Sequence, residues 1–294
     1  MKPSTALIKE LRDLTGAGFL ECKEALAAHD GDLEQARAHL RRQGLEEAED
    51  KAKRETKDGL VVIKGDGAVT VALNVGCETD FVARTVEFRE FAHTLADQVL
   101  ADPSLVDVEA LLAATTGSTP VEKTRRDLVM KLGENITVDG VARYAEQPGH
   151  VVEAYIHAGT LAGYGPEEGR VGVLVELQAD GGERSALHDL AHDLALHIAA
   201  ANPRYVSVSD IPEAVLAAEL AERRAELTTV DKPAEIKTRI VEGRLHKWQQ
   251  EVVLLRQPFI RDPEVTVGDW LAQAAREIGA PVSVTRFTRY AADE

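Results

Sequence analysis

The feature that most constrains this chain is a helical pattern that occurs twice. Residues 88–101 have the sequence FREFAHTLADQVLA, and residues 187–200 have the sequence LHDLAHDLALHIAA. Their apolar positions coincide, and so does the central Ala-His pair, which aligns His93 with His192. Apolar residues at this spacing indicate an amphipathic helix with one buried face. A helix that occurs twice predicts two related structural units.

The segments around each copy predict strands, and together they predict an α+β fold. Residues 60–63 and 69–75 are apolar and joined by a Gly-Asp-Gly turn, and residues 151–157 and 171–177 repeat this character around a longer Gly-rich loop. Each unit is predicted to be a small antiparallel sheet with helices on one face, over residues 58–148 and 149–294. Further strands are predicted at 136–144 and 282–287, and helices at 86–101, 105–114, 120–131, 185–201 and 267–278.

Residues 1–45 predict a separate bundle of three short helices. Ser4 can cap the first helix and Gly16 can end it. The third helix is expected to open at Asp32 and to end at Gly44. The charged residues 46–57 predict a solvated linker to the rest of the chain. The expected inward-facing residues of the first two helices are Leu7, Ile8, Leu11 and Leu14, then Phe19, Cys22 and Leu26.

A helical insertion is predicted in the second unit at about residues 212–253. Two charge-rich stretches, 212–229 and 233–253, are broken at Asp231-Lys232-Pro233. A thin apolar seam flanked by charge predicts a protruding antiparallel hairpin. The seam residues are Leu216, Leu220, Leu227, Ile236, Ile240, Leu245 and Trp248.

Charge and cysteine content narrow the range of partners. The formal net charge is -16, which disfavours binding to nucleic acid and to anionic membranes because both need Lys and Arg. The two cysteines form no CxxC motif, as expected for a protein of the reducing cytoplasm. No stretch has the pattern of a signal peptide or a membrane span. We therefore expect a cytoplasmic protein that binds another protein.

The sequence contains no motif for bond-making chemistry. The Gly-rich segment 163–169 lacks the Lys-Ser/Thr ending of a phosphate-binding loop, so direct nucleotide binding is not expected. His188 and His192 have a spacing that can serve zinc, but HExxH is absent and a structural role at a helix–sheet contact is favoured. Cys22 is expected in the core and Cys77 partly exposed at a strand end, and neither has a neighbour that would activate it. We expect a non-enzyme without cofactor or metal.

One segment between a predicted strand and a predicted helix has an unusual composition. Residues 76–84 have the sequence GCETDFVAR, and either Thr79 or Asp80 can cap the following helix. In one interpretation Phe81 is the first core residue of that helix, which residue chemistry alone favours. In the other, Phe81 is exposed beside a carboxylate and acts as a rigid wedge against a partner protein.

Several motifs in one order resemble the elongation factor Ts family. They are LIKELRDLTGAG (7–18), ECKEAL (21–26), GDL (31–33), TDFVAR (79–84), KLGENI (131–136), GVLV (172–175), VEGR (241–244) and QPF (257–259). The match covers nearly the whole chain. It implies an N-terminal bundle of ubiquitin-associated type, a two-part core and an antiparallel coiled-coil insertion.

The resemblance also implies a function and its residues. The function is guanine-nucleotide exchange on elongation factor Tu, in which the aromatic of the Thr-Asp-Phe motif enters the GTPase domain, disturbs the magnesium and phosphate sites and releases GDP. By position, Phe81 is the wedge, Asp80 the adjoining polar contact, and Thr79 and Val82 the frame. The resemblance thus reverses the first interpretation and predicts an exposed Phe81. Further contacts are expected from Arg12, Phe19 and Leu20 of the bundle and from His157 of the second unit.

Two departures and two alternatives accompany this assignment. Phe19-Leu20 stands where the family often has two methionines, and the chain stops soon after residue 287, which puts a further C-terminal contact in doubt. A metal-dependent hydrolase built on His188 and His192 would carry stoichiometric zinc. A helical adaptor would bind its partner through residues 1–45 alone.

Overall fold

Three helices form a bundle at the N-terminus. The computed structural model describes residues 3–159, 164–228, 230 and 233–293, and the side chains of residues 44–50 are not described. The helices are α1 (Thr5–Thr15), α2 (Phe19–Ala28) and α3 (Leu33–Lys51). Ser4 caps α1 and Gly16 ends it in the left-handed conformation, as predicted. The shared core consists of Ile8, Leu11, Cys22, Ala25, Leu26, Ala36 and Leu40.

Two predictions about this bundle are wrong. Leu14 and Phe19 do not face inward but are about half exposed, at 49% and 52%, because the small core is already filled by the residues named above. Gly44 does not end α3, which continues to Lys51. The residues after Gly44 are mostly good helix formers, which offsets the cost of about 1 kcal/mol for a glycine inside a helix. The first part of the predicted linker is therefore helical.

The middle of the chain forms the first sheet and its helices. The long elements are β1 (Asp58–Gly65), β2 (Val69–Cys77), α5 (Val86–Ala101), α7 (Val121–Leu132) and β5 (Ile136–Ala145). Shorter ones lie between them: α4 (Asp80–Ala83), α6 (Val108–Ala113), β3 (Thr115–Thr116) and β4 (Thr119–Pro120). The β1–β2 turn is held by the carboxylate of Asp66, which accepts hydrogen bonds from the N–H groups of Ala68 and Val69.

The second half forms another sheet, its helices and a helical hairpin. Its elements are β6 (His150–His157), β7 (Glu168–Gly169), β8 (Val171–Ala179), α8 (Arg184–Ala201), α9 (Glu213–Ala225), α10 (Ala234–Val252), β9 (Pro258–Phe259), β10 (Asp262–Thr266), α11 (Val267–Ile278) and β11 (Val282–Ala291). Strand β11 is longer than the predicted 282–287, because it pairs with β8 over that strand's full length. The described part of the chain is thus a mixed α and β structure with small antiparallel sheets.

The two halves of the chain share one strand order and one set of buried helix positions. The first sheet has the order β5-β2-β1-β7 and the second has the order β11-β8-β6, so the same three strands are arranged alike in both. Helix α5 covers the first sheet and α8 covers the second. Six matching pairs are buried on these helices: Phe88/Leu187, Phe91/Leu190, Ala92/Ala191, Leu95/Leu194, Ala96/Ala195 and Val99/Ile198.

The two sheets pack against each other through the faces that carry no helices. Along β1, Leu60 and Val62 face the helices of the first unit, whereas Val61 and Ile63 face the second sheet, as the two-residue period of a strand requires. The contact is close at Gly172, where a β-carbon would come within 2.5 Å of Val61 Cγ1. Both faces of each sheet are therefore covered, one by helices and one by the other sheet.

A buried ionic contact also joins the two halves. Strand β7 pairs with β1, and this places Glu168, which is 1% exposed, beside α5. Its carboxylate accepts hydrogen bonds from Arg89, with Nε at 3.0 Å, and pairs with His93 Nε2 at 3.1 Å. Burial alone would raise the pKa of Glu168, but these hydrogen bonds and the charge of Arg89 outweigh it and lower the pKa. The sequence analysis described this segment only as a loop, and residues 160–163 lie outside the described residues.

The helical insertion is a charged hairpin with few buried residues. Leu227 and Val241 are buried, while Ile236 of the predicted seam is 45% exposed. Glu226 on the first arm pairs with Arg244 on the second. The base of the hairpin packs on Ile211, Val252 and Val253. The predicted break at 231–232 lies outside the described residues.

Candidate functional site

The 79–82 turn places a large aromatic side chain in solvent. Strand β2 ends at Cys77, and the one-turn helix α4 begins at Asp80 with Thr79 at its N-cap position. Phe81 is 80% exposed, the highest value among the exposed large apolar side chains of the described residues. The next two residues, Val82 and Ala83, are buried in the core under α5. The predicted exposure of Phe81 is therefore confirmed, and the interpretation that it is a core residue is wrong.

The reason for this exposure is the geometry of a single helical turn. Consecutive residues on a helix point about 100° apart, so one turn cannot direct three successive side chains into one core. Val82 and Ala83 occupy the inward direction, and Phe81 is left pointing outward. Burying a phenylalanine would contribute roughly 2 to 3 kcal/mol, so its exposure gives up stability in the free protein.

Thr79 is held by a residue from the other end of the first unit. Its N–H donates to Glu134 Oε2 at 3.0 Å, and its hydroxyl donates to Glu134 Oε1 at 2.6 Å. Thr79 therefore occupies the cap position without capping the helix through its side chain. The neighbouring Glu78 accepts a hydrogen bond from the N–H of Asn135 at 2.7 Å. The sequence analysis did not identify Glu134, although it lies within the quoted KLGENI motif.

Asp80 adds a carboxylate next to the exposed ring. It pairs with Arg84 Nη2 at 2.7 Å, one helical turn further along the chain. Both side chains are partly exposed, so this pair is accessible to a partner protein. An exposed ion pair of this type adds little to stability, up to about 1 kcal/mol.

Neither cysteine is placed for chemistry. Cys77 is fully buried, which corrects the expectation that it is partly exposed, because β2 is a central strand covered on both faces. Burial, followed by the charges of Asp58 and Glu134, raises the pKa of Cys77 to about 12. A thiol with this pKa is a poor nucleophile at neutral pH. Cys22 is also fully buried, as predicted for a core residue.

The predicted contact residues of the bundle are all exposed. Arg12 is exposed near the end of α1, and Phe19 and Leu20 are 52% and 61% exposed at the start of α2. Leu14, which the sequence analysis placed inside, joins them at the α1–α2 turn. Three large apolar side chains and one basic side chain are thus exposed around the α1–α2 turn. Exposed apolar residues that are close in sequence are candidates for a protein-binding surface.

The bundle and the 79–82 turn are supported by the same helix end. A β-carbon on Gly16 would lie 3.9 Å from Lys131 Cγ, near the end of α7. Lys131 also pairs with Glu87 of α5 at 3.0 Å. Glu134, which holds Thr79, follows α7 directly. The C-terminal end of α7 thus lies beside the α1–α2 turn of the bundle and leads directly to the residue that holds Thr79.

His157 lies on a different sheet, among other polar rings. It is exposed at the end of β6, and its Nδ1 is 3.2 Å from the hydroxyl of Tyr155. The ring of Tyr155 also contacts His192 of α8, with 6.1 Å between centroids. The structure places this group in the second unit, on an element separate from the 79–82 turn and from the bundle.

His188 and His192 share a carboxylate. Their Nδ1 atoms lie 2.9 Å and 3.5 Å from the two oxygens of Glu153 on β6. This is the helix–sheet contact predicted for His192. Within the described residues, no group of three or more His, Cys, Asp or Glu side chains is arranged to hold a metal ion. Among the described helices, none combines the length and the apolar character needed to cross a membrane.

Comparisons with known proteins agree on one family. The family profile described as Elongation factor TS matches residues 78–294. The chain is 42% identical to Elongation factor Ts of Halorhodospira halophila over 296 residues, covering 100% of this chain and 93% of the relative. It is 38% identical to Elongation factor Ts of Caulobacter vibrioides, covering 99% and 92%. For the same protein of Clostridium novyi the identity is 36%, covering 97% and 90%.

Proposed function

Because the chain belongs to the elongation factor Ts family, a family of translation elongation factors, we propose that it is a guanine-nucleotide exchange factor for elongation factor Tu. It binds the GDP complex of that protein, disturbs the magnesium and phosphate sites and promotes release of GDP. It acts in the cytoplasm, where translation elongation takes place. The exchange factor itself makes and breaks no covalent bond and uses no cofactor.

The exposed ring of Phe81 carries this proposal. Its side chain is 80% exposed, while Val82 and Ala83 anchor the same turn in the core. The turn that carries the ring therefore has a defined position, and the ring itself makes little contact with its own chain. Rigid aromatic residues of this kind dominate the binding energy of many protein interfaces. Phe81 enters the GTPase domain as a wedge, Asp80 forms the adjoining polar contact, and Thr79 and Val82 frame them.

Exchange follows from differential binding. The factor binds the nucleotide-free state of elongation factor Tu more tightly than the GDP state, and this difference weakens GDP binding. By linkage, GDP weakens binding of the factor by the same ratio. Abundant GTP then displaces the factor. No catalytic group is required for this cycle.

Two further surfaces orient the wedge. The N-terminal helices act as a bundle of ubiquitin-associated type, and Arg12, Phe19 and Leu20 grip a helix of the GTPase domain. His157 on the second unit contacts another domain of the partner. The helical hairpin is the antiparallel coiled-coil insertion of the family. The exposure of these side chains supports their role, because each is accessible without rearrangement of the fold.

The direct test is release of fluorescently labelled GDP from elongation factor Tu in a stopped-flow experiment. The wild-type chain is expected to accelerate release, and Phe81→Ala to slow the accelerated rate by at least about thirtyfold, the effect of losing a contact worth about 2 kcal/mol. Val106→Ala is the matched control, since Val106 is also an exposed apolar residue, at 60%, outside the proposed surface. Unchanged GDP release with the wild-type chain would refute the proposal.

A further inference from the structure

We propose that Glu134 is a positioning residue that holds the 79–82 turn in its outward conformation and thereby sets the maximal rate of exchange. The kinetic part rests on the proposed function, whereas the structural part concerns the free protein alone. Glu134 does not need to touch the partner. It acts through Thr79, by fixing the direction in which Phe81 points.

Glu134 uses both of its carboxylate oxygens on one residue. Oε2 accepts from the N–H of Thr79 and Oε1 accepts from its hydroxyl, at 3.0 Å and 2.6 Å. Hydrogen bonds to an ionised carboxylate are about twice as strong as neutral ones. A bidentate contact also fixes the orientation of the residue that donates. The residue before the exposed turn is therefore held by a group distant in sequence.

The contact between these two segments of the chain is reciprocal. While Glu134 accepts from the N–H of Thr79, Glu78 accepts from the N–H of Asn135 at 2.7 Å. Asn135 is 2% exposed, and its side chain donates to the carbonyl of Arg54 at 2.8 Å. Residues 78–79 and 134–135 thus form a carboxylate clamp, in which each segment supplies one carboxylate and one backbone N–H.

Apart from this clamp, the near end of the turn is held mainly by local contacts. Helix α4 has four residues, and a single helical turn is unfavourable by itself because it fixes several dihedral angles for one hydrogen bond. Val82 and Ala83 anchor its far end, and Cys77 Sγ donates weakly to the carbonyl of Thr79 at 3.2 Å. Without the carboxylate clamp, the near end is expected to sample more conformations. Ordering it again on docking would slow the step in which Phe81 enters the partner.

The test compares Glu134→Ala and Glu134→Gln with Asp127→Ala. Asp127 lies on the preceding helix and pairs with Lys123 at 2.5 Å. Asp127→Ala therefore removes one negative charge, as Glu134→Ala does, but leaves the 79–82 turn untouched. Glu134→Ala is expected to lower the maximal rate of GDP release about tenfold, the equivalent of ordering one residue. The concentration of this chain that gives half of the maximal rate is expected to stay unchanged, because the surfaces of the bundle and of His157 are intact. Glu134→Gln keeps one acceptor oxygen and is expected to restore part of the rate.

One further measurement separates positioning from general destabilisation. Hydrogen exchange in the free protein is expected to be faster at residues 79–83 in Glu134→Ala, but not in Asp127→Ala.

Each outcome decides a specific part of the proposal. A maximal rate equal to wild type in Glu134→Ala, or an effect confined to the half-saturating concentration, would overturn the positioning role. Unaltered hydrogen exchange at residues 79–83 would overturn the carboxylate clamp itself. If the wild-type chain fails to accelerate release of GDP from elongation factor Tu, the proposed function and the kinetic role of Glu134 both fail. The hydrogen-exchange measurement on the free protein still decides whether the carboxylate clamp holds the 79–82 turn.

Discussion

The two related units differ most at the junction between their second strand and the helix that covers the sheet. In the first unit, the segment between β2 and α5 contains α4, the exposed Phe81 and the contact with Glu134. In the second, the segment between β8 and α8 is short and contains Gly181 and Gly182, both at positive φ. The same fold therefore supplies two equivalent junctions, and among the described residues the first carries an exposed aromatic side chain whereas the second does not.

The helices next to these junctions show a second difference. On α5, the polar edge is closed by Arg89 and His93 around the buried Glu168. On α8, the matching His192 reaches Glu153, whose side chain is 23% exposed. The first unit thus uses this edge to join the two halves of the chain. In the second unit this edge leaves the rings of His192 and Tyr155 accessible, and His157 lies next to Tyr155.

The largest expected effect concerns the buried carboxylate. Arg89→Leu removes the main partner of Glu168 and is expected to lower the free energy of unfolding by about 3 kcal/mol, because an unpaired buried charge is costly. His188→Leu, the change at the matching position of the second unit, is expected to cost less than about 1 kcal/mol, because its partner Glu153 is partly exposed and keeps His192 at 3.5 Å. Urea denaturation monitored by circular dichroism measures both. Equal losses for the two variants would show that the two edges are not energetically different.

The next effect tests the junction of the second unit. Gly182 has φ 93°, and a β-carbon there would meet Ile278 Cγ2 at 2.5 Å, so Gly182→Ala is expected to cost about 2 kcal/mol. Gly67→Ala is the control, because Gly67 also has positive φ but has no atom within 4 Å of such a carbon. Thermal unfolding is expected to show a larger loss for Gly182→Ala, with GDP release retained. Loss of exchange activity in a folded Gly182→Ala protein would argue against a functional difference between the junctions.

The smallest effect is a pH dependence confined to the second unit. His197 on α8 is 1% exposed, and its Nε2 lies 2.9 Å from Gln257 Oε1 while its Nδ1 accepts from the N–H of Ile260. The ring is therefore neutral with its proton on Nε2. Burial lowers the pKa of His197, partly opposed by the hydrogen bond to Gln257. The matching residue of α5 is Gln98, which bonds to Thr115 and Thr116 and does not titrate.

The sign of this dependence follows from which state takes up the proton. In the unfolded chain the imidazole has its ordinary pKa of 6.5, so below that pH the unfolded state gains a proton that the folded state resists. The free energy of unfolding is expected to fall as the pH drops below about 6.5, and less so in His197→Gln. Glu168, with its lowered pKa, loses its contribution only below its unfolded value of 4.5. If the free energy of unfolding changes with pH in the same way in the wild-type protein and in His197→Gln, from about pH 7 to about pH 5.5, this role of His197 is contradicted.

Much of the fold was predictable because local patterns are strong in this chain. The matched apolar positions of α5 and α8 identified both helices and their buried faces. The turn residues at 65–67 and the left-handed Gly16 were correctly placed, since both are local backbone requirements. The bundle was less predictable: Leu14 and Phe19 have the spacing of core residues, but the core of three short helices has no room for them.

The candidate site was predictable only in part. The motif TDFVAR indicated the position of the turn, but residue chemistry alone favoured a buried Phe81. Its exposure depends on Val82 and Ala83 taking the inward direction in a single helical turn. Glu134 and Glu168 were not identified, because their partners Thr79 and Arg89 lie far away in the sequence.

By itself, the sequence determined the repeated helix-on-sheet units, the order of their elements and the family, because these depend on periodicity and on motifs in a fixed order. The tertiary structure alone decided that the two sheets cover each other, that Glu168 is buried against α5, and that Phe81 points outward from a turn whose first residue is held by Glu134. The physical reason is that burial and ionic pairing depend on which residues lie close together in the folded chain, and these residues are distant in the sequence. A carboxylate in a loop and an aromatic in a turn have no local signal for the partner that they meet after folding.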